Sequence, residues 1–232
     1  MEDLDAKVLA EFYKIISPNK KEMFDRIAAN RTKHMTVVLE NVFQEHNASA
    51  VLRTCDCFGI QDLHVIEKGN QYKVQRDIAL GAGRWVDLYN YNLGITPGKD
   101  CVENLKSKGY KIVATTPHTK DTTIQDLNIA EPFALVFGTE RRGISDEMVE
   151  LADEFVKIPM YGFTESFNIS VSVALCLQFL RHRLENSPVN WKLNPLEQTL
   201  LKIKWCSKIV NGGKGLEKIF RQGLIESQIP FK

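Results

Sequence analysis

Short apolar runs alternate with segments of helical spacing from residue 35 to about residue 180. MTVVLEN (35–41), DLHVIE (62–67), DLYNY (87–91), YKIVATT (110–116), FALVFG (133–138) and EFVKIPM (154–160) read as strands, rich in β-branched and aromatic residues. Between them the spacing predicts helices over 47–58, 99–107 and 146–152, the first two stopped by Gly59 and Gly109. From Ile169 to Leu180 a run of Val, Ala and Leu predicts a helix buried on most sides. Continuous apolar strands alternating with helices imply an α/β fold, a parallel sheet with helices on both faces. In such sheets a ligand sits at the carboxyl ends of the strands, here Asn41, Thr115–Thr116, Gly138 and Met160.

The two ends of the chain break this rhythm. Leu4, Val8, Leu9, Phe12, Tyr13 and Ile16, then Met23, Ile27 and Ala28 after a Ser-Pro-Asn turn, predict two short helices. After Asn186, NSPVNWKLNP reads as a linker, followed by a helix over 196–210, an NGGKG turn and a shorter helical piece at 216–223. The expected organisation is an N-terminal helical extension (1–34), a sheet domain (35–185) and a basic C-terminal appendage (186–232).

Composition narrows the class. The chain is 44% hydrophobic and 25% charged, ordinary for a globular protein. It has no apolar run near eighteen residues and opens on acids instead of a basic, then apolar leader, so we expect a cytoplasmic protein with no membrane partner. A net charge of +1 does not indicate a polyanionic partner, but Arg181 to Lys232 carries ten Lys or Arg against four Glu, which points modestly to one. The five cysteines form no C-x-x-C pair and no Cys/His ligand spacing, which predicts reduced thiols, no disulfide and no metal. His34, His46, His64, His118 and His182 read as surface or local hydrogen-bonding groups, Trp85 as packing on the sheet, and Trp191 and Trp205 as anchors of the appendage.

Three polar loops fall near the strand ends. In FALVFGTERRGIS (133–145), Gly138 would let a ligand approach the backbone, Gly143 permits a positive φ, and Glu140 puts a charge at the same edge. The spacing is neither a Walker A loop nor a GxGxxG fingerprint; a plain turn would explain both glycines but not an acid followed by two arginines. In ENVFQEHNASAVLRTCDCFGI (40–60), Asn47 reads as an N-cap, and Arg53 lies six residues on, off a one-face spacing. A guanidinium on an otherwise apolar helix needs an acid, a carbonyl or a phosphate, and an internal ion pair with an acid such as Glu140 is the alternative to a functional role. In IPMYGFTESFNISVSVALCLQFL (158–180), Ser166 and Asn168 are good helix starters, and a polar loop feeding a helix can hold a ligand on its amides. A capped loop without a ligand accounts for that segment equally well.

Together, NASAVLRTCDCFG, LVFGTERRGIS and IPMYGFTESFNISVSVA resemble the three motifs of the SpoU branch of the SPOUT class of RNA 2′-O-ribose methyltransferases, in order and at the right separations over about residues 36–182. The resemblance implies S-adenosylmethionine as cofactor, a homodimer and a deep trefoil knot in the C-terminal part of the sheet domain, a rare exception to un-knotted connectivity. It implies catalytic-side roles for Asn47, Arg53, Glu140, Ser166 and Asn168, and a cofactor pocket using backbone around Thr115, Gly138, Ile158 and Phe167. The usual Ser-Leu-Asn of the third motif is here Ser166-Phe167-Asn168. The family chemistry needs a ribose hydroxyl oriented toward an activated methyl. Because a guanidinium with pKa above ~12 is a poor base, Arg53 is better suited to fixing a phosphate that takes the proton. The layout of helical N-terminus and basic C-terminus resembles the tRNA guanosine-18 group, so tRNA is the expected partner. Ribosomal RNA, or RNA binding without catalysis, are the alternatives.

Overall fold

In the computed structural model of the chain, residues 2–42, 44–68, 71–117, 122–139 and 142–226 are described. The helices are α1 (Glu2–Ile15), α2 (Pro18–Ala28), α3 (Glu45–Cys57), α4 (Arg76–Ala79), α5 (Pro97–Ser107), α6 (Asp146–Leu151), α7 (Ile169–Glu185), α8 (Pro195–Ile209) and α9 (Gly213–Glu226). The strands are β1 (Met35–Glu40), β2 (Asp62–Ile66), β3 (Asp87–Tyr91), β4 (Lys111–Thr115), β5 (Thr122–Thr123), β6 (Phe133–Phe137) and β7 (Glu154–Lys157). The chain divides into two compact units, residues 32–191 and the two ends, 1–31 with 192–232.

The 32–191 unit is one parallel sheet in the order β3-β2-β1-β6-β4-β7-β5. Alternate side chains of a strand face opposite sides, and the two cores follow that rule. Phe133, Leu135 and Phe137 of β6 join Val37, Leu39, Leu63 and Val65 in one core, covered by α3 and α7 through Val51, Leu52, Val173 and Leu177. Ala134 and Val136 join Val38 and Ile112 in the other, covered by Cys101, Val102 and Leu105 of α5 and Met148 of α6. Continuous apolar strands therefore have apolar neighbours on both faces, as the α/β reading requires.

Two expectations change here. The last strand ends at Lys157, so Ile158–Met160 leave the sheet, and the two-residue β5 had no sequence signal. The run after Asn168 does form a helix, but not one buried on most sides. Ile169, Val173, Cys176, Leu177, Leu180 and Leu184 are buried, while Val171 and Leu175 are about 43% and 42% exposed. Four cysteines are buried and Cys57 is exposed; all five are free thiols. His64 is a local hydrogen-bonding group, as expected, in a buried setting: it stacks on Tyr89 at 4.8 Å, and its Nδ1 lies 3.1 Å from the Tyr91 hydroxyl. Burial, then the charge of Lys108, pulls its pKa from 6.5 to about 4.

The second unit is built from both ends of the chain. α1 meets α9 through Phe12 and Phe220, edge to face at 5.2 Å, and α2 meets α8 through Phe24 and Trp205 at 5.3 Å. Asp25 accepts from the Tyr13 hydroxyl and from Lys202 Nζ, both at 2.8 Å, and Arg221 Nη1 donates to Asp5 at 2.7 Å. A capping box between Asn194 and Glu197, with Pro195 at the first helical position, starts α8. Trp205 anchors this unit, whereas Trp191 belongs to the sheet unit, where the Arg181 guanidinium lies 3.9 Å over its ring. The helical unit holds fourteen Lys or Arg against nine Asp or Glu, a net +5; the sheet unit holds sixteen against twenty, a net −4.

Candidate active site

A cavity of about 600 Å³ opens at the carboxyl ends of β6, β4 and β7, three neighbours in the sheet. Thr115, Gly138, Ile158 and Phe167, the four residues expected around a cofactor, all line it, and so does Ser166. Its walls are the loops after those three strands. The Thr115 hydroxyl donates to the Val136 carbonyl at 2.8 Å, and the Thr116 amide to the Val156 carbonyl at 3.0 Å, so the end of β4 is fixed between its neighbours.

The loop after β6 folds tightly on itself. Thr139 and Gly143 exchange two backbone hydrogen bonds of 2.9 Å, and the Arg142 amide donates to the Thr139 hydroxyl at 3.1 Å. Gly143 has φ +67°, the left-handed region that favours glycine. A Cβ on Gly138 would stand 2.1 Å from the Gly143 carbonyl oxygen. Gly138 is thus required by the approach of its own loop, and it also lines the cavity, where a ligand would meet its backbone. At the far end, Ser145 starts α6, its hydroxyl accepting from the Met148 amide. Glu140 lies outside the described residues, as does His118.

Asn168 caps α7, its Oδ1 accepting from the Ser170 amide at 2.9 Å and the Ser170 hydroxyl at 2.6 Å. Its Nδ2 donates to Asn47 Oδ1 at 3.0 Å, which joins the first and third motifs across 121 residues of chain. Asn47 is not the N-cap expected. The helix begins two residues earlier, after Gln44, and Asn47 lies buried in its first turn, donating to Gln44 Oε1 at 2.8 Å. Being inside the helix frees its carboxamide oxygen to reach Asn168.

Arg53 is exposed on α3, away from the buried face formed by Asn47, Val51, Leu52 and Cys55, and has no hydrogen bond or ion pair among the described residues. The helix is apolar on one face only and the guanidinium stands on the other, where it meets none of the described acids; a pairing with Glu140 lies outside the described residues. Among the described residues, no group of three or more His, Cys, Asp or Glu could hold a metal ion, and no helix is long and apolar enough to cross a membrane.

A carboxylate that sequence reasoning passed over completes the geometry. Glu40, the last residue of β1, is 6% exposed and accepts from both the amide (2.9 Å) and the hydroxyl (2.5 Å) of Ser145. The available signal was an acid closing an otherwise apolar strand, opposite a Ser-Asp-Glu helix start.

The model of the SpoU rRNA methylase family matches residues 34–178, which span the sheet unit and all three loops. The chain belongs to this family. Among SpoU relatives, the tRNA (guanosine(18)-2′-O)-methyltransferase of Borreliella burgdorferi is 39% identical over 219 residues, 94% of this chain and 99% of that protein. The crystal structure of the Aquifex aeolicus TrmH/SpoU tRNA modifying enzyme superposes with a TM-score of 0.71 at 30% identity, covering 82% of this chain and 98% of that one. A more distant SpoU relative, the Haemophilus influenzae 23S rRNA (guanosine-2′-O-)-methyltransferase RlmB, is 32% identical over 163 residues, 69% of this chain and 65% of that protein.

Proposed function

We propose that this protein transfers a methyl group from S-adenosylmethionine to the ribose 2′-hydroxyl of guanosine 18 in tRNA. The observation that carries the reading is the match to the B. burgdorferi tRNA enzyme, which runs through both compact units and leaves almost none of either protein uncovered. The match to the ribosomal RNA enzyme leaves about a third of that protein unmatched, which favours tRNA.

The residues at the strand ends suit S-adenosylmethionine. The cavity is of small-molecule size, ~300–1,000 Å³ being usual. Phe137, Ile144, Ile158 and Phe167 give it apolar surface for an adenine, and the loop backbones around Thr115, Gly138, Ile158 and Phe167 offer hydrogen-bonding edges. When bound, the cofactor supplies a methyl already activated on a sulfonium. The work left to the chain is to bring the ribose hydroxyl into line and to let its proton go.

Arg53, exposed and with no partner among the described residues, binds a phosphate beside the target nucleotide through its forked guanidinium. The guanidinium keeps its own protons, so the proton of the 2′-hydroxyl would pass to an oxygen of that phosphate as the ribose 2′-oxygen gains the methyl and the sulfonium, losing it, is left as a thioether. Asn47 and Asn168, bonded to each other, hold the starts of α3 and α7 together beside the reaction, and Glu140 and Ser166 supply its polar edge. The helical unit, net +5, binds RNA phosphates without reading bases. The reading includes the trefoil knot and the homodimer of the family, with Val171 and Leu175, exposed four residues apart on α7, offering the second copy an apolar face. It also places the protein in the cytoplasm, where tRNA is modified.

Incubation with methyl-labelled S-adenosylmethionine and unmodified tRNA, followed by mapping of the label, tests this. Label on the ribose of guanosine 18 is expected. Label only in ribosomal RNA would move the substrate, and no label in any RNA would leave an RNA-binding protein without catalysis.

A further inference from the structure

The wall of the cavity formed by Gly138, Thr139, Gly143 and Ile144 is held from outside by one buried carboxylate. β1 and β6 pair with Leu39 opposite Phe137, so Glu40 lies beside Gly138, where the loop leaves the sheet. From there its side chain reaches over to the other end of the loop and takes both donors of Ser145. The loop is thereby closed three times: by the strand at its start, by the Thr139–Gly143 pair in its middle and by Glu40 at its end. Gly138, Thr139, Gly143 and Ile144, all within this closed stretch, line the cavity, but Glu40 and Ser145 do not.

Glu40 also stands where the first loop begins. The next residue, Asn41, has φ +53° and donates its amide to Ile66, turning the chain off the sheet toward α3 and Asn47. One residue therefore joins the backbone that leads to Asn47 with the side-chain contact that fixes the cofactor wall. Close by, Lys68 pairs with Glu147 of α6 at 2.7 Å, a second tie between the end of β2 and the same helix.

We propose that Glu40 is a positioning residue for cofactor binding: through Ser145 it sets Gly138, Thr139, Gly143 and Ile144 in the arrangement that receives S-adenosylmethionine, and it touches neither cofactor nor RNA. This rests on the methyltransferase reading above. Removing the carboxylate leaves the Ser145 amide and hydroxyl without their acceptor and lets the wall drift, which weakens cofactor binding without altering the groups that orient the ribose.

The test is steady-state kinetics of the full chain with unmodified tRNA, varying S-adenosylmethionine, beside calorimetric binding of S-adenosylhomocysteine and a thermal melt. Glu40→Ala is expected to raise the KM for S-adenosylmethionine, and the Kd for S-adenosylhomocysteine, about 10- to 100-fold, the scale of lost hydrogen bonds to a carboxylate, with kcat at saturation within about threefold. Glu40→Gln offers one acceptor oxygen instead of two, so it should fall between wild type and Ala. A merely structural acid would lower the melting temperature and leave KM and Kd alone, and that result overturns the proposal, as does a lower kcat with unchanged KM. If Glu40→Ala does not fold, Ser145→Ala decides: a KM raised about tenfold supports the clamp, and an unchanged KM refutes it. Wild-type protein that binds no S-adenosylmethionine and methylates no RNA would instead refute the methyltransferase reading.

Discussion

The sheet unit and the helical unit solve different problems with opposite means. The sheet unit is contiguous in sequence, net −4, and concentrates its unusual geometry at one edge: a glycine with no room for a Cβ, a buried carboxylate, and an Asn–Asn bond between distant loops. The helical unit is assembled from both ends of the chain, is net +5, and is held by aromatic contacts and ion pairs; its own glycine without room for a Cβ, Gly213, serves only to start α9 against Ser207. Chemistry at a small group needs atoms fixed to fractions of an ångström, whereas attraction to a polyanion needs only charge of the right sign within screening distance. If that division holds, substitutions in the sheet unit will change catalysis or cofactor binding, and substitutions of exposed lysines in the helical unit will change RNA affinity and its salt dependence.

The largest expected effect is at Arg53. Arg53→Ala should lower single-turnover methyl transfer by about 1,000-fold or more while S-adenosylmethionine binding stays within about threefold. Retained single-turnover transfer would end its role as phosphate anchor. Next, Gly138→Ala forces the loop open, since the backbone it meets cannot step aside as a flexible side chain would. We expect cofactor affinity to fall about 100-fold with RNA affinity unchanged, measured by calorimetry and filter binding; an equal loss of both would erase the division between the units. A smaller effect is expected from replacing Lys214 and Lys218 of α9, both exposed, with Ala. RNA affinity should drop about tenfold at physiological salt and the log–log salt slope should flatten by about 1 to 2, with cofactor affinity untouched.

The smallest effect is on stability. His64 is held neutral, its pKa near 4 in the fold against 6.5 in the unfolded chain. The unfolded state therefore takes up a proton first as pH falls. The contribution of this residue is complete above about pH 6.5 and is lost progressively down to about 4. Melting temperature should decline over that window, and His64→Phe should flatten the decline; an unaltered profile in the variant would assign the acid sensitivity elsewhere.

How far the sequence could be read follows from what kind of signal each feature leaves. Most of the strands are local apolar runs, and the second and third loops follow directly from two of them, so the position of the cavity at the carboxyl edge was legible. Asn47 was misread because Asn is a good cap, while the chain had already turned into helix at Glu45; the buried bond to Asn168 is a contact between distant segments that no local pattern records. Gly138 was singled out as a place of close approach, but no local rule specifies that its own loop, five residues on, makes the nearest one. Glu40 was invisible in its role because its partner Ser145 lies 105 residues away. The same limit hid the union of the two chain ends: periodicity finds four amphipathic helices but not which helix covers which, and Asp5 meets Arg221 across 216 residues.

The split helical unit also bears on how the protein is made. α1 and α2 leave the ribosome before the sheet unit, yet the side chains that cover Phe12 and Phe24 follow only after residues 32–191. At ~5–20 residues per second this is a wait on the order of 10–30 s, long enough for the sheet unit to fold while the first helices still expose their apolar faces. A nascent chain of this design spends that interval with an adhesive N-terminus, so its yield in a cell should depend on a holding chaperone more than its final stability would suggest.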